Sequence, residues 1–291
     1  MQRDPIEQVL ESALNGFQLR VEIVANPSYC GEWLEREHAA TQGAFHVIGE
    51  GECVVESPAL AEPVTLHSGD LVMFPHGGGH LIRSSSCLTV DADKPSYTSL
   101  LCGEFVFMIG THNPVLRALP DCVIVRAGDA SASFQHLAAL LIATLGRDGL
   151  GRQVLLNSLA ASLFILAVCE FAEQSADPRG LFAALADPKL AKVLHAIHQR
   201  PGDDWSIATL ASVAGMSRTT FAERFSSLLE LPPMQYVTQW RVSQAKVMLQ
   251  NRQLSVAAIA EQLGYKSEPA FRKLFKRIAG VGPGKVRSQS R

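Results

Sequence analysis

Two sets of residues in this chain have types and spacings that could do chemistry, and they lie in different halves of it. The first half carries imidazoles and thiols: His38, His46 and His80, with cysteines at 30, 53, 87, 102 and 122. Imidazole nitrogens and thiolates bind transition metals, and thiols also react reversibly with oxidants. No two of the six cysteines (the sixth is Cys169) form a CxxC pair, so their spacing excludes structural zinc fingers. The last third carries two serine-led groups of polar and basic side chains. One is Ser217, Arg218, Thr219, Thr220, Ala222 and Glu223; the other is Ser267, Glu268, Pro269, Arg272, Lys273 and Lys276. On an exposed helix, residues of these types can hydrogen-bond base edges and phosphates.

The elements that must position the second set are written in a repeated pattern. Ala211, Gly215, Phe221 and Phe225 recur as Ala260, Gly264, Phe271 and Phe275. Each copy reads as a short amphipathic helix, a glycine turn and a second helix entered through a serine, which is the signature of a helix-turn-helix. Burial of Phe221, Phe225 and Leu228 leaves the first group outside; burial of Phe271 and Phe275 does the same for the second. Lys273 suits guanine O6 and N7, with Arg272 and Lys276 on phosphates, and Pro269 falls in a first turn that needs no NH donor. Five residues separate Gly215 from Phe221 and six separate Gly264 from Phe271, so the second turn is one residue longer. Seven helices are expected from Pro188 onward, with a long connecting helix at 232–250 holding the two readers for successive major grooves, ~34 Å apart. Charge agrees: from Asp187 onward 16 Lys and Arg face 7 Asp and Glu, a net of +9, while the remainder carries −11. A basic third on an acidic body is the layout of a nucleic-acid reader joined to something else.

That something else begins with a short helix predicted over 5–16. From Phe17 to about Val125 short apolar runs alternate with Gly, Pro and Ser, a β texture. Phe45 to Ile48 and Cys53 to Glu56 flank Gly49-Glu50-Gly51 and read as a hairpin; another turn at 67–70 joins the strands 64–66 and 71–74, and Thr98 to Ile109 reads as a later strand. After Arg126, the segments 134–145 and 154–172 are helical and very apolar, so they either cover the β domain or form a dimer interface, the interface being the favoured reading. The uncharged run Gln153 to Cys169 is 17 residues and contains Asn157, Ser158 and Ser162, which favours a buried or interface helix over a membrane span. A polar linker follows at 174–178. With 47% hydrophobic and 19% charged residues, and acids in the opening MQRDPIEQVLE rather than an export signal, a soluble cytoplasmic protein with reduced thiols is expected.

Gly69 to His80 fits G-x5-P-x-G-x2-H and resembles the second motif of the cupin superfamily, whose fold is a double-sheet β-barrel or jelly roll. The first cupin motif, an HxH pair with a carboxylate, is not intact: the glutamate position falls on Ala44, the HxH region offers only His38, and His46 lies two residues beyond Ala44 on the same strand face. The segments 210–225 and 259–275, with Gly280-Val-Gly-Pro283, resemble the two helix-turn-helix motifs of the AraC/XylS family of transcription regulators. The resemblance implies that Thr219, Ala222 and Glu223 face bases, Glu223 standing where a basic residue is often found. The chain is similar to the reactive-chlorine-responsive branch of that family, which implies a reactive thiol pair at Cys30 and Cys102. Three sensor readings stay open: a small effector held with His46 and His80, oxidation of Cys30 and Cys102, or a metal held by His38, His46, His80 and a cysteine. No cofactor is otherwise expected.

The expected organisation is therefore multidomain: a cupin-like sensor barrel over 1–125, a helical dimerisation and linker segment over 126–178, and an all-α double helix-turn-helix domain over 187–291. The expected protein is a non-enzymatic, homodimeric activator that binds promoter DNA and RNA polymerase. The alternative is a metal-dependent cupin dioxygenase or isomerase with an appended DNA-binding domain, for which the broken metal motif is unfavourable.

Overall fold

The computed structural model describes residues 9, 11, 19–40, 42–85, 97–107, 114–146, 149–175 and 178–289. The helix expected over 5–16 and Cys87 lie outside the described residues, apart from positions 9 and 11.

The first compact unit comprises Leu19–Val106 and Leu119–Ala176. Its described residues form ten strands, β1 (Leu19–Ala25), β2 (Ser28–Cys30), β3 (Leu34–Glu37), β4 (Gly43–Glu50), β5 (Glu52–Glu56), β6 (Val64–His67), β7 (Leu71–Phe74), β8 (His80–Ser84), β9 (Tyr97–Phe107) and β10 (Val123–Val125). One sheet runs β1-β9-β4-β7-β10, with β2 also on β9, and the other runs β3-β8-β5-β6. This is the two-sheet barrel expected of a cupin.

The segments either side of Gly49-Glu50-Gly51 do not form the expected hairpin. β4 pairs with β7 and β9, whereas β5 pairs with β6 and β8, so the glycine turn passes the chain from one sheet to the other. A glycine-rich turn marks a reversal in sequence but not the sheet that receives the next strand. Gly51 has φ 74°, and the Tyr97 carbonyl oxygen stands 2.2 Å from where its Cβ would be, so no side chain fits at this corner.

The inner face of the barrel buries Ile48, Cys53, Val55, Leu66, Val72, Phe74, Ile82, Leu100 and Cys102 in one cluster. Seven of the eight residues of β4 are buried, because its other face is covered as well. There Phe45 lies opposite Gly103 and Phe105 opposite Gly43, so each ring crosses a strand over a residue without a side chain. Phe105 then meets Phe164 of the long helix α3 (Arg152–Gln174), 4.7 Å between ring centroids.

α3 packs on β1 and on α2 (Ala132–Leu145), so both apolar helices belong to the barrel's unit and one face of α3 covers a sheet. α3 is long and apolar enough to cross a membrane. Its polar Asn157, however, accepts the backbone NH of Ile23 at 3.1 Å, satisfying an edge strand. Leu140 on α2 and Val154, Leu155 and Ile165 on α3 remain exposed, as does Leu150 in the segment between the two helices.

The second unit includes Phe107–Ala118 and Asp177–Arg291. Between β9 and β10 the chain leaves the barrel to form α1 (Pro114–Ala118), then returns. After the linker come α4 (Gly180–Ala186), α5 (Pro188–Gln199), α6 (Ile207–Ala214), α7 (Arg218–Leu229), α8 (Pro233–Met248), α9 (Val256–Gln262), α10 (Glu268–Ala279) and α11 (Pro283–Gln289). The seven helices expected from Pro188 are present. α1 and α4 are additional, and with five and seven residues neither spans enough turns for an apolar period to show.

Candidate nucleic-acid interface and sensor site

The first helix pair, α6 and α7, is joined by Gly215 in the left-handed conformation (φ 61°, ψ 43°), whose NH caps the carbonyls of Ala211 and Ser212. Ser217 caps α7 by accepting from Thr220 NH. Phe221, Phe225 and Leu229 are buried; Leu229 takes the place expected of Leu228, which is half-buried. Ser217, Arg218, Thr219, Thr220 and Glu223 are exposed and Ala222 is half-buried, so the first candidate set lies outside as one group.

The second pair, α9 and α10, has Ser267 as its cap, accepting from Ala270 NH, and Pro269 in the first turn. Ser267, Pro269, Arg272, Lys273 and Lys276 are exposed, with Glu268 half-buried. Arg272 donates to Glu268 one turn away, 2.6 Å. The extra turn residue has a use: Tyr265 packs 5.2 Å from Phe271, and the Arg241 guanidinium lies 5.5 Å from its ring centroid. Arg241 of α8 also donates to the carbonyls of Pro201 and Asp203, both at 2.6 Å. It thus holds the Pro201-Gly202 break against the second turn.

Two positioning residues escape sequence reasoning. Asp187 caps α5 through the NH groups of Lys189 and Leu190 and also pairs with Arg224 of α7. Burial raises the carboxyl's pKa, but the NH donors and the Arg224 guanidinium outweigh it and hold the group below its usual range. The Asp187-Pro188 cap was a visible signal; its pairing with residue 224 was not. Arg241 had no signal beyond being a charge on a helix with a buried face.

In the barrel, His46 (β4), His80 (β8) and Cys102 (β9) come together. His46 Nε2 is 2.7 Å from His80 Nε2, and His46 Nδ1 is 3.2 Å from Cys102 Sγ. His80 Nδ1 donates to the Gly78 carbonyl at 3.0 Å, because that oxygen can only accept. His80 Nε2 is then the acceptor of the pair, His46 Nε2 the donor, and the Cys102 thiol donates to His46 Nδ1. All three groups are neutral. Burial, then the nearby His80, pushes the His46 pKa down to about 3; burial likewise lowers that of His80. Burial first, then Glu37 and Glu35, raises Cys102 to about 12. It is a thiol at neutral pH in this conformation.

His38 does not join this group. It lines a neighbouring cavity of about 590 Å³ that also touches Glu37 and His80. Glu37 faces His80 directly across the β3–β8 pairing, with carboxylate oxygens 3.9 Å from His46 Nε2 and 3.8 Å from His80 Nε2. Residues paired across an antiparallel ladder share a face, a relation that needs the register and not the sequence alone.

Cys30 and Cys102 are not brought together. Cys30 is exposed at the end of β2 opposite Tyr97, whereas Cys102 lies opposite His46. Tyr97 and Cys102 are five residues apart on β9, about 17 Å at strand rise, and a disulfide needs Cα atoms within about 7 Å.

A cupin barrel in the same chain as two serine-capped helix-turn-helix pairs defines a DNA-binding transcription regulator. Comparison with known proteins agrees: residues 8–173 match the Cupin family model and residues 210–289 match the Helix-turn-helix domain model. The chain is 31% identical to the HTH-type transcriptional regulator AlkR of Acinetobacter baylyi, covering 87% of this chain and 94% of that one. It is 29% identical to an AraC-like transcription regulator of Streptomyces antibioticus over 98% of both chains. It is also 29% identical to the RCS-specific transcriptional activator RclR of Escherichia coli, over 85% of this chain and 84% of that one. The chain belongs to the AraC/XylS family of transcription regulators, in the form that carries an N-terminal cupin domain.

Proposed function

We propose that this regulator is a cytoplasmic homodimer that activates transcription by bringing RNA polymerase to promoters read by α7 and α10, and that its barrel senses a thiol oxidant through Cys102. The observation that carries the sensing claim is the contact between Cys102 and a buried histidine pair, which ties the state of one thiol to the hydrogen bonds between two sheets. The name of the Escherichia coli relative points the same way. Two thiols and one hypochlorous acid give a disulfide, chloride, water and a proton. With Cys30 as the second thiol, β2 must leave its place beside β9. A small effector in the cavity beside His80 is the second reading, supported by its volume of about 590 Å³.

Coupling to the reader is supported by the path of the chain. α1, inserted between β9 and β10, packs on α4, and α4 packs on α7 and α5. At the first contact Gly180 (φ 57°) would place a Cβ 3.1 Å from that of Ala118. The chain that follows β9 forms α1, and α1 reaches the helix that seats the first reader by packing on α4.

The test is promoter binding and transcription in vitro with reduced and hypochlorite-treated protein, thiols being counted in parallel. Oxidation is expected to change transcription with loss of two thiols, and Cys102→Ser to abolish the change. A Cys30→Ser, Cys102→Ser double variant that still switches with hypochlorite contradicts thiol sensing; a response to a small molecule instead supports the second reading.

A further inference from the structure

Glu37, His46 and His80 converge from β3, β4 and β8, and their ligand atoms all lie within 4.8 Å of one another. We propose that these three side chains form a binding site for a divalent transition-metal ion of the zinc and iron(II) class, open toward the adjoining cavity. The ligand set differs from the one suggested by sequence: Glu37 replaces His38, and Cys102 stands behind His46 rather than on the ion.

Three features support a built site. The first is spacing. Two imidazole nitrogens bound to one ion at about 2.0–2.1 Å stand roughly 3 Å apart, so the present 2.7 Å needs only a small outward rotation. The half-exposed Glu37 carboxylate, 3.8 Å from His80 Nε2, can swing in to complete the face.

The second is the support of each ring. Metal-bound imidazoles have their other nitrogen held by a carbonyl or similar partner, which sets tautomer and plane. Here His80 Nδ1 is held by the Gly78 carbonyl at 3.0 Å, and His46 Nδ1 by Cys102 Sγ at 3.2 Å. Phe74 stacks flat on His80, centroids 3.8 Å apart and planes 11° apart, leaving the imidazole little freedom except in its own plane. With an ion on both Nε2 atoms, the His46 hydrogen sits on Nδ1 and Cys102 Sγ becomes its acceptor. Metal occupancy therefore reverses the hydrogen bond made by the thiol.

The third is access. Glu37 and His80 both line the cavity of about 590 Å³. Two histidines and one carboxylate on one face leave further coordination positions on that side for water or a small anion.

The test uses the full-length chain freed of metal with a chelator and titrated with cobalt(II), followed by visible absorption, and then with zinc(II) in competition. One ion per chain is expected, without a thiolate-to-cobalt charge-transfer band. Glu37→Gln and His80→Asn should each weaken binding at least about tenfold, while Cys102→Ser still takes up one ion. Circular dichroism melts report folding, and the partly exposed Glu37→Gln keeps the test decisive if His80→Asn unfolds the barrel. Absence of stoichiometric binding to folded wild-type protein overturns the proposal. So does wild-type affinity in a folded Glu37→Gln variant, or a thiolate band that disappears with Cys102→Ser.

Discussion

Arg272 and Lys273 are neighbours on α10 but do different work. Arg272 is tied to Glu268 within its own helix, an exposed pair that adds little stability but directs the guanidinium along the helix. Lys273 points outward from the same turn. Lys273→Ala should weaken binding to a preferred site by about 1–3 kcal/mol and relax preference at one base pair. Arg272→Ala should weaken all sequences alike and reduce the salt slope by about one. Equilibrium binding at several salt concentrations separates these outcomes. His198 makes a pH prediction. It stacks 3.7 Å from Trp240, bonds Tyr236 at 2.8 Å, and burial pushes its pKa down to about 3. The unfolded chain takes the proton first, near 6.5, so this stability is complete above about pH 6.5 and is lost as pH falls toward 3. The slope is about 1.4 kcal/mol per pH unit. Urea unfolding followed by tryptophan fluorescence at pH 7.5 and 5.5 should show it, and His198→Phe should be flatter with pH.

The two glycine turns look equivalent in sequence and are not equivalent as elements. Both glycines are left-handed, yet a Cβ on Gly215 meets nothing within 4 Å, whereas one on Gly264 falls 2.2 Å from the Gly202 carbonyl oxygen. Gly215→Ala should cost only the conformational penalty, about 1–2 kcal/mol. Gly264→Ala must also displace backbone that Arg241 clamps, so thermal melts should rank it clearly less stable. The repeat itself was readable because each reader obeys local rules: a serine cap, phenylalanines one turn apart and a glycine at the bend. What could not be read came from tertiary register. Glu37 meets His80 only because β3 pairs with β8, Asp187 meets Arg224 across 37 positions, and a turn signal at Gly51 does not say which sheet comes next. The cupin motif located Gly69, Asp70 and His80 well, since Asp70 does close its turn, accepting from His67 NH at 3.0 Å. It gave no warning that Asp70 also holds Arg126 and Ala127 NH beyond β10.

For the whole molecule, α2 and α3 have two faces with different tasks. α3 covers a barrel sheet with one face and α2 packs on α3, which explains the dense apolar pattern; the other side leaves Val154 71% exposed, and Leu150, in the segment between the helices, fully so. A second copy of the chain is the proposed occupant. Val154→Glu should shift sedimentation from dimer to monomer and weaken promoter binding with little change in fold; a dimer that survives unaltered would place the interface elsewhere. The charge division also acts at this scale, since a basic reader on an acidic body favours approach to DNA by the C-terminal end. The central claim is that α7 and α10 read two separate segments of one DNA site. Selection of bound sequences from random DNA tests it most directly, using wild type, Thr219→Ala and Lys273→Ala. The account predicts two preferred blocks about 10 base pairs apart, with preference in one block lost in Thr219→Ala and in the other lost in Lys273→Ala. A single block, or the same block weakened by both substitutions, would contradict it.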